Sequence, residues 1–199
     1  HLMSTIEGGM VTTDDEEIYN YLLLLRSHGW LRDTTKEFNE KMKNKWNISD
    51  FNNLYSFYTE GFNLRSTDLQ AFIGIHQLEK APLFSKKRFD NFNKFQEKIK
   101  NDFWKPKPNS DSWTSSFSYP IIHPKRNEIV LEFKKNNIDC RPLICGSMGN
   151  QPFWVERYGK IDLENSSMID KFGMYIPNHQ DLSDTDIKFM CDVINNVIN

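Results

Sequence analysis

Histidines and cysteines are the first residues to test for chemistry. The chain has five histidines (His1, His28, His76, His123, His179) and three cysteines (Cys140, Cys145, Cys191). No two histidines stand four apart and no C-x-x-C occurs, so the spacing suggests no metal site. His28 sits beside Gly29 at a helix end, where a cation favours the negative terminus of the helix. His76 falls on an apolar helix face, the setting of a core histidine. His123 precedes Pro124 and reads as a cap or loop residue. Cys191 lies within an apolar helical stripe, the setting of a core thiol rather than a nucleophile. Gly8-Gly9 is a turn dipeptide, since neither G-x-x-x-x-G-K-[ST] nor G-x-G-x-x-G is present. No Ser-His-Asp arrangement can be read from spacing alone. Taken singly, these residues define no reaction.

The elements that must position them are legible in part. Ser4 to Ile6 and Met10 to Thr12 flank Gly8-Gly9 and predict a hairpin. Thr13 with Glu16 reads as a capping box, followed by a helix with Ile18, Tyr21, Leu22 and Leu25 on one face. Gly29 stops it. Residues 34–60 are rich in Lys and Asn and read as a long surface excursion with at most one short helix. Thr67 with Gln70 reads as a second capping box, opening a helix with Leu69, Phe72, Ile73 and His76 as its stripe. Gly74 inside it implies close packing. Pro82 is expected to open a separate helix at its first position, with Phe84, Phe92, Phe95 and Ile99 facing inward. The character changes near residue 103. From there strand and helix alternate: a strand with Phe117, Tyr119 and Ile121, a helix with Ile129, Val130 and Phe133, and a strand over 138–144. A loop with Phe153 and Trp154 tucked in follows. Ser183 caps a last helix, whose buried stripe is Ile187, Met190, Cys191, Ile194 and Val197.

Composition narrows the classes. Of 199 residues, 38% are hydrophobic and 26% charged, a balance with enough apolar material for a core. The net charge of −2 lacks the basic excess of a nucleic-acid binder. No apolar run approaches the length of a membrane span. The N-terminal residues lack a basic region followed by an apolar core, so no leader is expected. An odd number of cysteines without paired spacing points to a reducing, cytoplasmic compartment.

Several blocks read together carry a resemblance. His1-Leu2-Met3-Ser4-Thr5-Ile6-Glu7-Gly8-Gly9-Met10 and Arg26-Ser27-His28-Gly29-Trp30 with Arg32-Asp33 come first. Then follow Gly61-Phe62-Asn63-Leu64-Arg65-Ser66-Thr67-Asp68-Leu69-Gln70-Ala71, Cys140-Arg141-Pro142-Leu143 and Tyr175-Ile176-Pro177-Asn178-His179. In this order they resemble the DegT/DnrJ/EryC1/StrS family of pyridoxal-phosphate enzymes of nucleotide-sugar metabolism. The resemblance implies an α/β fold of the aspartate-aminotransferase type. Residues 1–102 would be the end of its large domain and 103–199 its small α/β domain. It begins in the middle of the family's pattern. A complete member is expected to be about twice as long, with the other half supplying most of the cofactor pocket.

The resemblance also assigns roles. The family's Schiff-base lysine falls where His1 stands. Members with histidine there resemble sugar 3-dehydratases, such as GDP-4-keto-6-deoxymannose 3-dehydratase, which use the aminated cofactor to expel the C3 hydroxyl of a 4-keto sugar. An imidazole cannot replace the lysine amine as a covalent carrier, but its near-neutral pKa suits proton removal. Asn63 would reach the cofactor phosphate of the partner subunit, with Arg65 as its companion. For Arg65, a surface ion pair with Asp68 or Glu60 stands beside that reading. Arg141 and His179 would face the sugar nucleotide or the cosubstrate, or fix their own loops. Glu7 reads as structural. The implied cofactors are pyridoxal phosphate and pyridoxamine phosphate. The implied partners are a second copy of the chain in a homodimer, a sugar nucleotide and an amino donor such as glutamate, without nucleic acid or membrane. The implied reaction is 3-dehydration in surface-polysaccharide (lipopolysaccharide) or deoxysugar synthesis. Aminotransfer to a keto sugar nucleotide is the alternative, and an inactive fragment or dimerisation module the second.

Overall fold

The computed structural model describes residues 2–199 and divides into two compact units, 4–77 and 78–199, the latter together with residues 2–3. The first unit holds helices α1 (Glu16–Arg26), α2 (Lys36–Trp46) and α3 (Asp50–Asn53), and the start of the 31-residue helix α4 (Asp68–Lys98). No hairpin forms over residues 2–13. Ile6 takes a positive φ of 73° there, and the glycine pair lies in irregular chain. Asp15 caps α1 in place of Thr13. Its carboxylate accepts from the Ile18 amide, while the Thr13 hydroxyl accepts from the Asp15 amide. The helix buries Asn20, Leu23 and Leu24 and leaves Ile18 and Tyr21 exposed. Residues 21–25 are apolar almost all round, so periodicity could not choose the buried side.

Residues 34–60 fold. Thr35 caps α2, and the buried Asn20 fixes that cap: its Oδ1 accepts from the Thr35 amide at 2.8 Å and its Nδ2 donates to the Glu16 carbonyl at 2.8 Å. Phe38 and Met42 from α2 join Leu24 and Leu31 in a small core. Lys43 bonds both Glu40 and Asp50 at 2.6 Å, tying α2 to α3. These hydrogen bonds hold the ammonium pKa above its ordinary value and the Asp50 pKa below it. Two glycines permit the closest approach in this unit. Gly29, at φ +86°, lies where a Cβ would collide with the Thr59 carbonyl. A Cβ on Gly61 would strike the backbone of His28 and Gly29.

The expected capping box of Thr67 and Gln70 is formed in both directions. Pro82 does not begin a new helix and lies inside α4. A proline there removes one intrahelical hydrogen bond, and the turns beyond it are held by the buried Phe92 and Phe95. In the second unit, β1 (Ser118–Ile122) pairs antiparallel with β2 (Gly173–Pro177), with Tyr119 opposite Ile176. Helices α5 (Arg126–Lys135), α6 (Pro152–Tyr158), α7 (Glu164–Phe172) and α8 (Asp184–Ile198) complete it. The strand expected over 138–144 is reduced to a single bridge between Arg141 and Tyr175, because Pro142 has no amide to extend it. The stretch expected to be a loop carries α6. Trp154 is half-buried within it, and Phe153 is exposed rather than tucked in. The core is Phe92, Phe95, Tyr119, Ile129, Phe133, Ile176 and the α8 stripe Ile187, Met190, Cys191 and Ile194. Burial of each such side chain stabilises the fold by about 1.5–3 kcal/mol. Ser183 and Asp186 form the capping box of α8.

The glycine crossing yields a prediction. Gly29→Ala should destabilise the protein by about 3 kcal/mol or more in urea unfolding, through positive-φ strain and collision with Thr59. Gly9→Ala, where a Cβ meets nothing within 4 Å, should change stability by less than about 0.5 kcal/mol.

Candidate functional site

The glycine crossing places two polar residues. The chain at 25–28 runs beside 62–64: the Phe62 amide donates to the Leu25 carbonyl at 2.7 Å, the Leu64 amide to the Arg26 carbonyl at 2.9 Å, and the His28 amide to the Phe62 carbonyl at 2.8 Å. Asn63 lies opposite the buried Ser27 in this short ladder. The Asn63 and Arg65 side chains are exposed and make no hydrogen bond or ion pair among the described residues. The alternative pairing of Arg65 with Asp68 or Glu60 is therefore not made. An amide and a guanidinium held on one backbone segment, both free to donate, form a donor set suited to phosphate oxygens. Glu7 serves through its backbone, whose carbonyl accepts from Gln70 Nε2 at 2.6 Å.

A feature that sequence reading missed lies in the same unit. The Arg32 guanidinium stands over the Trp30 ring at 4.0 Å and 5.2 Å from the Tyr55 ring. Its Nη2 donates to the Leu54 carbonyl at 2.8 Å. Phe57 and His28 also meet Trp30, with ring centroids at 5.7 and 4.8 Å. Tyr55 is 73% exposed and Phe57 61%. This platform of a cation and aromatic faces can stack a planar ring and attract an anion. Its members lie as much as 29 residues apart, on either side of α2 and α3, so no periodic signal could have gathered them.

In the second unit, Arg141 pairs through its backbone with Tyr175 and borders a cavity of about 250 Å³ lined also by Phe117, Cys140 and Pro177. Its guanidinium is exposed, 3.8 Å from the Asp139 carboxylate. His179 follows β2 by two residues. Its imidazole is half exposed, and Nδ1 accepts from the Asp181 amide at 3.3 Å. His123, read as a cap or loop residue, is a residue of the turn before α5, its Nδ1 accepting from the Lys125 amide at 3.0 Å. Burial holds its pKa below the usual histidine value, and Lys125 adds to this. His76 is exposed rather than buried, with its ring edge-on to Phe72. Burial pushes the Cys191 thiol pKa up to about 12 and also raises that of Cys140. His1 lies outside the described residues. Among the described residues no group of three His, Cys, Asp or Glu side chains could hold a metal ion, and no helix is long and apolar enough to cross a membrane.

Comparison with known proteins decides the family. A family model described as the DegT/DnrJ/EryC1/StrS aminotransferase family matches residues 1–195. The chain belongs to that family. A GDP-4-keto-6-deoxy-D-mannose 3-dehydratase of Yersinia pseudotuberculosis is 32% identical over 193 residues, 92% of this chain and 49% of that protein. The solved Escherichia coli GDP-4-keto-6-deoxy-D-mannose-3-dehydratase with bound hydrated PLP superposes with a TM-score of 0.80 at 30% identity. That match covers 98% of this chain and 51% of the other. A Campylobacter jejuni UDP-4-amino-4,6-dideoxy-N-acetyl-beta-L-altrosamine transaminase is 28% identical over 98% of this chain and 49% of its own length. The chain thus spans about half the length of the curated relatives it matches. Its fold is the α/β fold of this PLP-dependent family, as the resemblance implied.

The thiols supply a test of the site's chemistry. At neutral pH, iodoacetamide should label the exposed Cys145 within minutes, Cys140 slowly and Cys191 only after denaturation, as read by peptide mass spectrometry. Rapid native labelling of Cys191 would contradict its role as a core thiol.

Proposed function

We propose that this chain serves a PLP- or PMP-dependent modification of a nucleotide sugar, with 3-dehydration of a 4-keto-6-deoxy sugar nucleotide as the reaction and surface-polysaccharide or deoxysugar synthesis as its setting. The observation that carries this reading is the donor set of Asn63 and Arg65, unpaired among the described residues, in a chain whose family match runs from residue 1 to 195. When bound, the cofactor supplies a ring that accepts electrons from the carbon losing its proton. Asn63 and Arg65 hold its phosphate, across a homodimer interface. His1, at the position of the family's lysine, takes the proton. Arg141 and His179 meet the sugar nucleotide. Residues 1–102 then close the large domain and 103–199 form the small one. Aminotransfer to a keto sugar nucleotide is the second reading, favoured by the likeness to the Campylobacter transaminase.

Dialysis after mixing the chain with pyridoxal phosphate, and separately with the aminated cofactor, tests the reading by absorbance. A retained chromophore is expected, with affinity lowered about tenfold by Arg65→Ala through loss of a charge-assisted contact. A chromophore that dialyses away from the unaltered chain would leave a dimerisation or interaction role as the better account.

Exposed apolar side chains on α1 and α4, among them Ile18, Tyr21, Leu69, Phe72 and Ile75, bear on the homodimer. Sedimentation should show concentration-dependent self-association, reduced by Phe72→Glu. A strict monomer at high concentration would count against it.

A further inference from the structure

Three buried polar side chains converge on the turn that carries His179. Arg88 on α4 is 6% exposed, and Asn91 and Asn178 are fully buried. Asn91 Nδ2 donates to the His179 carbonyl at 3.1 Å. Asn178 Nδ2 donates to the Arg88 carbonyl at 3.1 Å and to the Ser116 carbonyl at 2.9 Å. Arg88 Nη2 donates to Gln180 Oε1 at 3.1 Å. Residues 178, 179 and 180 are thus each tied to the same stretch of α4, while the imidazole between them remains accessible.

Stability alone gives a poor account of this arrangement. Arg88 Nε and Nη1, Asn91 Oδ1 and Asn178 Oδ1 are buried without a hydrogen-bond partner among the described residues. A buried guanidinium and two buried amides that leave such groups unmatched cost folding free energy that apolar side chains would not. What the arrangement does achieve is a fixed backbone at one exposed residue. His179 Nδ1 accepts from the Asp181 amide at 3.3 Å, closer than the Asp181 carboxylate at 3.8 Å, an arrangement that favours the proton of the neutral ring on Nε2. The ring then offers that N–H outward as a donor.

We propose that Arg88 and Asn91 are positioning residues that hold His179 so that its Nε2–H donates to a phosphoryl or hydroxyl oxygen of the sugar nucleotide. This rests on the reading of His179 as a substrate-side residue. The experiment is calorimetric titration of the 199-residue chain with GDP-mannose as the probe. His179→Ala, Asn91→Leu and the double variant are compared, and Gln180→Leu is a milder second route to releasing Arg88. Each single change at 179 or 91 should weaken binding about tenfold. The double variant should bind no more weakly than His179→Ala alone, because Asn91 acts through that residue. A purely structural role would make the losses add. Additive losses, or unchanged binding in both Asn91→Leu and Gln180→Leu, would overturn the positioning role while leaving His179 as a substrate contact. Unchanged binding in His179→Ala, or no binding by the unaltered chain, would overturn the substrate-side reading and this inference with it.

Discussion

The crossing of the chain at Gly29 over the segment ending at Gly61 is the constraint on which the first unit depends. Two backbones approach there more closely than any Cβ allows. That contact sets the ladder in which Asn63 faces Ser27, and it fixes the entry to α4 a few residues later. The Tyr58 amide also donates to the Gly29 carbonyl at 2.9 Å. The aromatic segment around Tyr55 and Phe57 is thereby returned to Trp30 and Arg32. A polar donor pair and an aromatic platform, distant from one another in sequence, both follow from one pair of residues without side chains.

The second unit is organised differently. Its core is conventional, an antiparallel strand pair covered by α4, α5 and α8. Three of its buried polar side chains, Arg88, Asn91 and Asn178, gather where α4 meets the turn between β2 and α8. Lys94 adds an ion pair to Asp184 at 2.5 Å just beyond that turn, and salt-bridging to Lys94 lowers the Asp184 pKa. Apolar packing stabilises the unit as a whole, and directional hydrogen bonds specify the local course of the chain around His179.

What was legible in the sequence was whatever is local. The Thr67–Gln70 capping box and the Ser183 cap need only residues within one turn, and both are formed as read, whereas the box read at Thr13 gives way to Asp15. The stripe of α8 has a 3.6-residue repeat and a polar opposite face, so its buried side was unambiguous. Helix α2 escaped because it contributes few core side chains, and the residues that cover them, Leu24 and Leu31, come from elsewhere in the chain. The Gly8-Gly9 turn signal lacked flanking strands with anything to bury, so no hairpin followed. The site residues came from the family resemblance rather than from spacing. The Arg88 and Asn91 hold on His179 joins positions 88 residues apart and left no trace in any local pattern.

Helix α4 belongs to both units, with the boundary at residues 77 and 78 falling between two of its own turns. Units joined by a loop can be exchanged by cutting the loop. Here a cut at the boundary falls inside a helix and leaves backbone groups on both sides without their intrahelical partners, while Arg88, Asn91, Phe92 and Phe95 keep their contacts within 78–199.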